Sequence, residues 1–346
     1  MIRFGPSGIP LSCKGRTLLD GVLDVHKLGL TALEIQFLRM NVNTRPVTED
    51  EVEIKAKDVE GKFIIGVNRG EEIKDIYTED LEKELQVGDM INFLKGGVAE
   101  EFYRYSKIGR TADQLDVKVT VHTPYYMKFT EPTGDLVDKS KLGFKYGSVM
   151  ASELSADMIL THLGLIDEGK EPDDVKDAVI ENLRELRNWL NAEYDDSPEI
   201  GIETQAGEDV FGDLSDIIDV CKKVSGVVPV LNFAHLKARG SHDLEEPEDF
   251  TEVFNLCKKF LQDEFYVNFS GVEMRRENEY RFTPIKKGDL NFEVLVDHLL
   301  ESDDDITIIS TSPLKEHDAM YMKVIFERIL TKEIGKELRR KKKDAE

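Results

Sequence analysis

Short apolar, β-rich runs recur along this chain, and several end on a polar residue with metal-ligand chemistry. They read Val119-Thr-Val-His122, Ile159-Leu-Thr-His162, Ile200-Gly-Ile-Glu203, Val230-Leu-Asn232 with His235 close behind, and Val267-Asn268. Each run is followed by a stretch of helical pattern. Counting outward from Ile2–Phe4 and Leu33–Phe37 to the run Ile306–Ser310 gives eight strand-and-helix units. Alternation of this kind predicts a parallel sheet with helical cover, and eight units favour closure into a (β/α)₈ TIM barrel. In such a barrel all strands present their C-terminal ends on one face, where residues distant in sequence meet around one point.

One stretch breaks the rhythm. Residues 41–97 carry alternation at Val52, Ile54 and Ala56, strand-like runs at Lys62–Asn68 and Gln86–Leu94, and an acidic helical piece at Tyr77–Leu85. The pattern predicts a small β-rich insertion after strand 2, emerging on the catalytic face, with helix two of the barrel over Val98–Gln114. The expected organisation is therefore a barrel over 1–40 and 98–332, an insertion over 41–97, and a basic C-terminal tail over 333–346. That tail holds Arg339-Arg340-Lys341-Lys342-Lys343, which reads either as a nucleic-acid contact or as a solvated helix end.

Composition narrows the function classes. The chain has 346 residues, 40% hydrophobic and 33% charged, with a net charge of −23. No apolar run is long enough to cross a membrane, and the first residues read as a strand rather than a secretory leader. Three widely spaced cysteines, Cys13, Cys221 and Cys257, suggest reduced thiols in a cytoplasmic protein. The negative charge weighs against a broad nucleic-acid-binding surface, so any basicity that meets phosphates has to be local.

Two histidines and a glutamate at three consecutive strand ends suit a divalent ion. Zinc takes imidazole nitrogen and carboxylate oxygen, usually three protein ligands in a catalytic site. His122, His162 and Glu203 are the candidate ligands and catalytic centre, with His235 a further candidate and Asn232 and Asn268 weaker ones. The same donor set also accepts manganese, iron or cobalt, and the expected stoichiometry is one ion per chain.

The ordered motifs resemble the endonuclease IV superfamily of xylose-isomerase-like barrels. His122-Thr-Pro-Tyr125-Tyr126 is similar to the family's third-strand motif, Thr161-His162-Leu-Gly164 to its fourth-strand His-Pro-Gly, and Ile202-Glu203-Thr-Gln-Ala-Gly207 to its fifth-strand Glu-Asn-Thr-Ala-Gly. Asn232-Phe-Ala-His235 aligns with the sixth-strand Asp-Thr-Cys-His. The family carries three metal ions, and this chain departs from that set. Asn232 replaces an aspartate, Asn268 a histidine, Tyr280 and Phe282 an Asp-x-His pair, and Ser310 a final glutamate. The resemblance implies a metal-dependent phosphodiester hydrolase, a DNA-repair endonuclease acting on abasic or damaged duplex. It assigns Tyr125 or Tyr126 to the gap beside an extruded nucleotide, and Arg39, Arg275, Arg276 and Arg281 to the phosphates. Two alternatives stand beside it. One is a single-metal sugar isomerase or epimerase using Glu34 and Glu203. The other is a non-catalytic nucleic-acid-binding derivative of the fold.

Overall fold

In the computed structural model the apolar runs become a ring of parallel strands. The structure describes residues 1–15, 17–37, 42–70, 81–94, 102–261, 264–276 and 279–344. The chain opens with β1 (Ile2–Pro6), α1 (Leu18–Lys27) and β2 (Ala32–Gln36), then departs into β3 (Val42–Pro46), β4 (Phe63–Asn68) and β5 (Met90–Leu94). It returns through α2 (Phe102–Gln114), β6 (Lys118–His122), α3 (Asp135–Glu153), β7 (Met158–Thr161), α4 (Pro172–Glu193) and β8 (Glu199–Glu203). Then follow α5 (Leu214–Lys223), β9 (Val227–Asn232), α6 (Phe233–Arg239), α7 (Pro247–Cys257) and β10 (Glu264–Phe269). The last elements are β11 (Gly271–Arg276), β12 (Glu279–Thr283), α8 (Phe292–Glu301), β13 (Asp305–Ser310) and α9 (Glu316–Asp344).

The barrel order is β1-β13-β10-β9-β8-β7-β6-β2, all parallel. Strands covered on both faces read as near-continuous apolar runs, which is why these segments were legible. Closure falls between β1 and β2, where Thr31 N donates to Phe4 O at 3.0 Å and Gly8 N to Glu34 O at 2.7 Å. Gly5 makes the approach feasible, because a Cβ there would lie 1.9 Å from the Ala32 carbonyl oxygen. Ala32, Met158, Leu160, Val228, Val230, Tyr266 and Ile309 fill the barrel interior, and a larger apolar layer lies between strands and helices. Helix starts follow local chemistry. Thr17 and Asp20 form a capping box on α1, and Pro172 with Asp173 and Asp174 opens α4.

One expectation is corrected, and several elements go beyond the sequence reading. Val52, Ile54 and Ala56 do not form a strand. Glu53 has φ +69, and the segment turns between 3₁₀ pieces at Glu49–Glu51 and Ala56–Asp58, which bury Ala56 without extended pairing. The antiparallel sheet of the insertion is instead β3-β5-β4, with the exposed run Val42–Pro46 as its unanticipated edge. After β10 the chain builds the antiparallel hairpin β11–β12, and α6 follows β9 directly. Residues 333–344 continue α9 as helix. Of the acidic piece at Tyr77–Leu85, residues 77–80 lie outside the described residues, and Leu85 N donates to the Ile54 carbonyl at 2.8 Å. Among the described residues no helix is long and apolar enough to cross a membrane, and all three cysteines are buried and unbonded.

Candidate metal centre

The ends of β6, β7 and β8 bring His122, His162 and Glu203 together. Their ligand atoms lie within 4.8 Å of one another, and among the described residues this is the one group of its kind. His162 Nε2 is 2.6 Å and His122 Nε2 3.6 Å from Glu203 Oε2, so two ring nitrogens crowd one carboxylate oxygen. The backbone fixes the orientation of the first ring. His122 Nδ1 donates to the Thr123 carbonyl at 2.7 Å, which turns Nε2 toward the centre, as in the outer shells of metal-binding histidines. Gly164, at φ +105, makes the turn beyond His162. A Cβ there would meet Met127 O at 2.3 Å.

The other carboxylate oxygen is held by amides. Asn232 Nδ2 and Asn268 Nδ2 donate to Glu203 Oε1 at 2.8 and 2.7 Å. Burial alone would raise the Glu203 carboxyl, but hydrogen bonds to His122 and His162 hold it well below the ordinary carboxylate range. Burial opposes charge on His122 too, and the hydrogen bond to Glu203 with the nearby charges of Glu34 and Glu203 outweighs it, pushing the imidazole up to about 9. An ionised carboxylate facing two inward-turned imidazoles is a donor set that fits a divalent cation, and the residues to hold it are His122, His162 and Glu203.

His235 is not part of that cluster. Its Nδ1 donates to the Thr204 carbonyl at 2.7 Å, and the Tyr280 hydroxyl meets its Nε2 at 3.3 Å. Its ring stacks on Phe282, with centroids 5.3 Å apart. Burial lowers its pKa, consistent with a neutral ring capped on both nitrogens. Asn232 and Asn268 act through Glu203 as amide donors.

These groups line a cavity of about 400 Å³ at the C-terminal end of the barrel. Glu34 faces it from β2, fully buried, with Ser7 Oγ (2.7 Å) and Gln36 Nε2 (3.1 Å) donating to one oxygen and Tyr266 Oη (3.0 Å) to the other. A larger cavity of about 490 Å³ opens at the opposite end, around the Lys118–Glu264 ion pair. It holds no histidine and no converging ligand group, and the N-terminal face of such barrels serves stability. The converging candidate ligands therefore lie in the smaller cavity.

The expected phosphate-binding residues divide. Tyr125 lines the cavity mouth, 61% exposed, with Tyr126 packed edge-on against it at 5.8 Å. Arg281 is not brought to the cavity. Hairpin alternation aims its neighbours Tyr280 and Phe282 inward, and Arg281 pairs across the hairpin with Glu273 at 2.7 Å. Arg39 lies outside the described residues, as do the side chains of Arg275 and Arg276 on β11. Lys315, Thr311, Gln36, Gln205 and Ser7 also line the cavity and were not singled out in the sequence. Gln36 and Gln205 could have been, since both sit at or beside strand ends; Lys315 follows a loop with no distinguishing pattern.

Comparison with known proteins agrees with this architecture. The chain is 21% identical over 248 residues to an uncharacterized protein of Methanocaldococcus jannaschii, covering 70% of this chain and 88% of that one. The crystal structure of endonuclease IV from Thermus thermophilus superposes with a TM-score of 0.58 at 15% identity, covering 94% of this chain and 99% of the other. A 3-keto-D-glucoside 4-epimerase from E. coli gives 0.58 at 9% identity, covering 95% and 100%. At such identities the likeness shows the fold, and that fold carries both kinds of reaction. The profile of the family described as xylose isomerase-like TIM barrels matches residues 89–323, and the chain belongs to that family.

Proposed function

We propose that this protein is a one-metal phosphodiester hydrolase of the endonuclease IV kind, acting on the sugar–phosphate backbone of DNA at abasic or damaged sites. The observation that carries this reading is the convergence of His122, His162 and Glu203, while Asn232 and Asn268 stand as neutral amides around the same carboxylate. A divalent cation held by these three residues, zinc or manganese by donor type, would polarise a phosphate oxygen and activate water.

The protein's own groups prepare that site. Asn232 and Asn268 fix the Glu203 carboxylate from one side, and Thr123 sets the His122 tautomer. Tyr280 and Phe282 hold His235 and give the cavity an aromatic wall. Tyr125 stands at the mouth, where it can occupy the space left by a nucleotide drawn into the cavity.

The isomerase reading asks two carboxylates to exchange protons with a substrate carbon. Here Glu203 faces two imidazoles and two amides, and Glu34 accepts from three side chains. Neither is placed as a free base, which favours hydrolysis.

The test has two parts. Elemental analysis of protein purified without chelator is expected to give near one equivalent of zinc or manganese, lost in His162→Ala. Loaded protein should then cleave a duplex with a single abasic site well above a His122→Ala control. Equal cleavage by the two proteins would remove the hydrolase reading, and two or three metal equivalents would remove the one-metal form of it.

A further inference from the structure

The cavity wall built by β10 and the loop after β13 carries polar atoms that the fold leaves unmatched. Asn268 is 1% exposed and its Nδ2 is committed to Glu203, yet its Oδ1 has no hydrogen-bond partner. Thr311, the residue after β13, lines the same cavity, and its Oγ1 is also buried without a partner. Leaving a buried carbonyl or hydroxyl unpaired costs about 1–3 kcal/mol, so such atoms are rare unless something completes them.

Lys315 reaches the cavity beside them. Among the described residues its ammonium meets only the Ile9 carbonyl, at 3.4 Å, and that leaves donors for a ligand. Gly8, at φ +82, leaves the ammonium its place, since a Cβ there would approach Lys315 Nζ to 3.1 Å. Lys315 is the one lysine among the described residues that line the cavity.

The three groups differ in what they ask for. A carbonyl oxygen only accepts, so Asn268 Oδ1 calls for a hydroxyl. The Lys315 ammonium and the Thr311 hydroxyl donate, and both suit an anionic oxygen. We infer that Asn268, Thr311 and Lys315 form a sugar-phosphate subsite, with a phosphate oxygen on Lys315 and Thr311 and a sugar hydroxyl on Asn268. The inference rests on the hydrolase reading for its place in a nucleic-acid strand, where the bound phosphate neighbours the one at the metal centre. A free sugar phosphate presents the same chemistry, and the experiment separates the two sources.

Metal-loaded protein is titrated with inorganic phosphate, with ribose 5-phosphate, and with a duplex carrying one tetrahydrofuran abasic analogue. Lys315→Met is expected to weaken all three by about tenfold or more, the scale of a lost charged hydrogen bond, and Lys315→Arg to recover most of it. Thr311→Val should weaken them less. Asn268→Leu, checked for retained metal, should erase the preference for ribose 5-phosphate over inorganic phosphate. Melting temperatures near wild type establish that the variants fold. Lys315-dependent binding of ribose 5-phosphate with no affinity for the duplex would keep the subsite and remove the nucleic-acid reading. Duplex cleavage and affinity unchanged in Lys315→Met would keep the hydrolase and overturn the subsite. Wild-type protein that binds none of the three probes overturns it as well.

Discussion

Glu34 is held by side chains both near and far in sequence. Ser7 and Gln36 donate to one oxygen and Tyr266 to the other, and Thr120 lies 2.6 Å from the same tyrosine hydroxyl. Burial and the charge of Glu34 push the Tyr266 phenol well above its usual range, so it stays a donor at any working pH. Tyr266→Phe removes one hydrogen bond to a buried carboxylate, worth about 1.5–3 kcal/mol. Urea unfolding should show a loss of that size with an unchanged slope. A loss under 0.5 kcal/mol, an approximate floor for any intramolecular hydrogen bond, would mean that the contact is not what holds Glu34. The cluster of His122, His162 and Glu203 was legible because its members stand at strand ends. Tyr280 and Phe282 were legible only as departures from a ligand pattern, and their use against His235 depends on the hairpin. Nothing in the loop after β13 marks Lys315.

Elements buried on both sides announced themselves, and those facing solvent did not. β3 reads Val-Asn-Thr-Arg-Pro, mixed and exposed, and its edge position is set by pairing with β5 rather than by apolar content. The alternation at 52–56 misled because burying every second side chain can also be achieved by turns. β11 carries Glu273, Met274 and two arginines, which resemble loop sequence until the hairpin pairs them. Within the insertion, Arg45 grips Glu51 by two nitrogens, at 2.7 and 2.5 Å. That hydrogen bond, opposed by partial burial, lowers the Glu51 carboxyl from 4.5 to about 2. A carboxyl depressed by folding lends its stabilisation above its unfolded value and loses it as pH falls through the folded one. Amide protection of residues 42–45, corrected for intrinsic exchange, should therefore decline between pH 4.5 and about 2. In Arg45→Met it should start lower and change little across that interval. Parallel profiles in the two proteins would show that the ion pair does not govern this sheet.

The whole molecule is strongly acidic, and its most basic segment lies far from the cavity. α9 begins beside the loop after β1, where Glu316 accepts from Leu11 N and Ser12 N at 2.9 Å. Further along the helix Lys323 Nζ reaches Gly29 O at 2.6 Å, just before β2, at the opposite end of the barrel. Arg339 lies 16 residues further on, about 24 Å at 1.5 Å per residue. Removing residues 332–346 should thus leave cleavage and duplex affinity within about twofold, a difference of about 0.4 kcal/mol. A tenfold loss of affinity would place nucleic acid on the far end and demand a different docking geometry. With net charge −23 and one lysine lining the cavity among the described residues, the dependence of duplex binding on salt should also be shallow.

The seam between β1 and β2 is where the first and second strands close the ring. These two strands meet at the glycine-tightened approach, through the backbone bonds from Thr31 to Phe4 and from Gly8 to Glu34, and at the bridge between Ser7 and Glu34. Glu34 spans that joint, bonded to Ser7 on one side and to Tyr266 across the interior. Any widening of the seam would be felt at a carboxylate inside the cavity, so the joint that closes the ring and one wall of the cavity are the same few atoms.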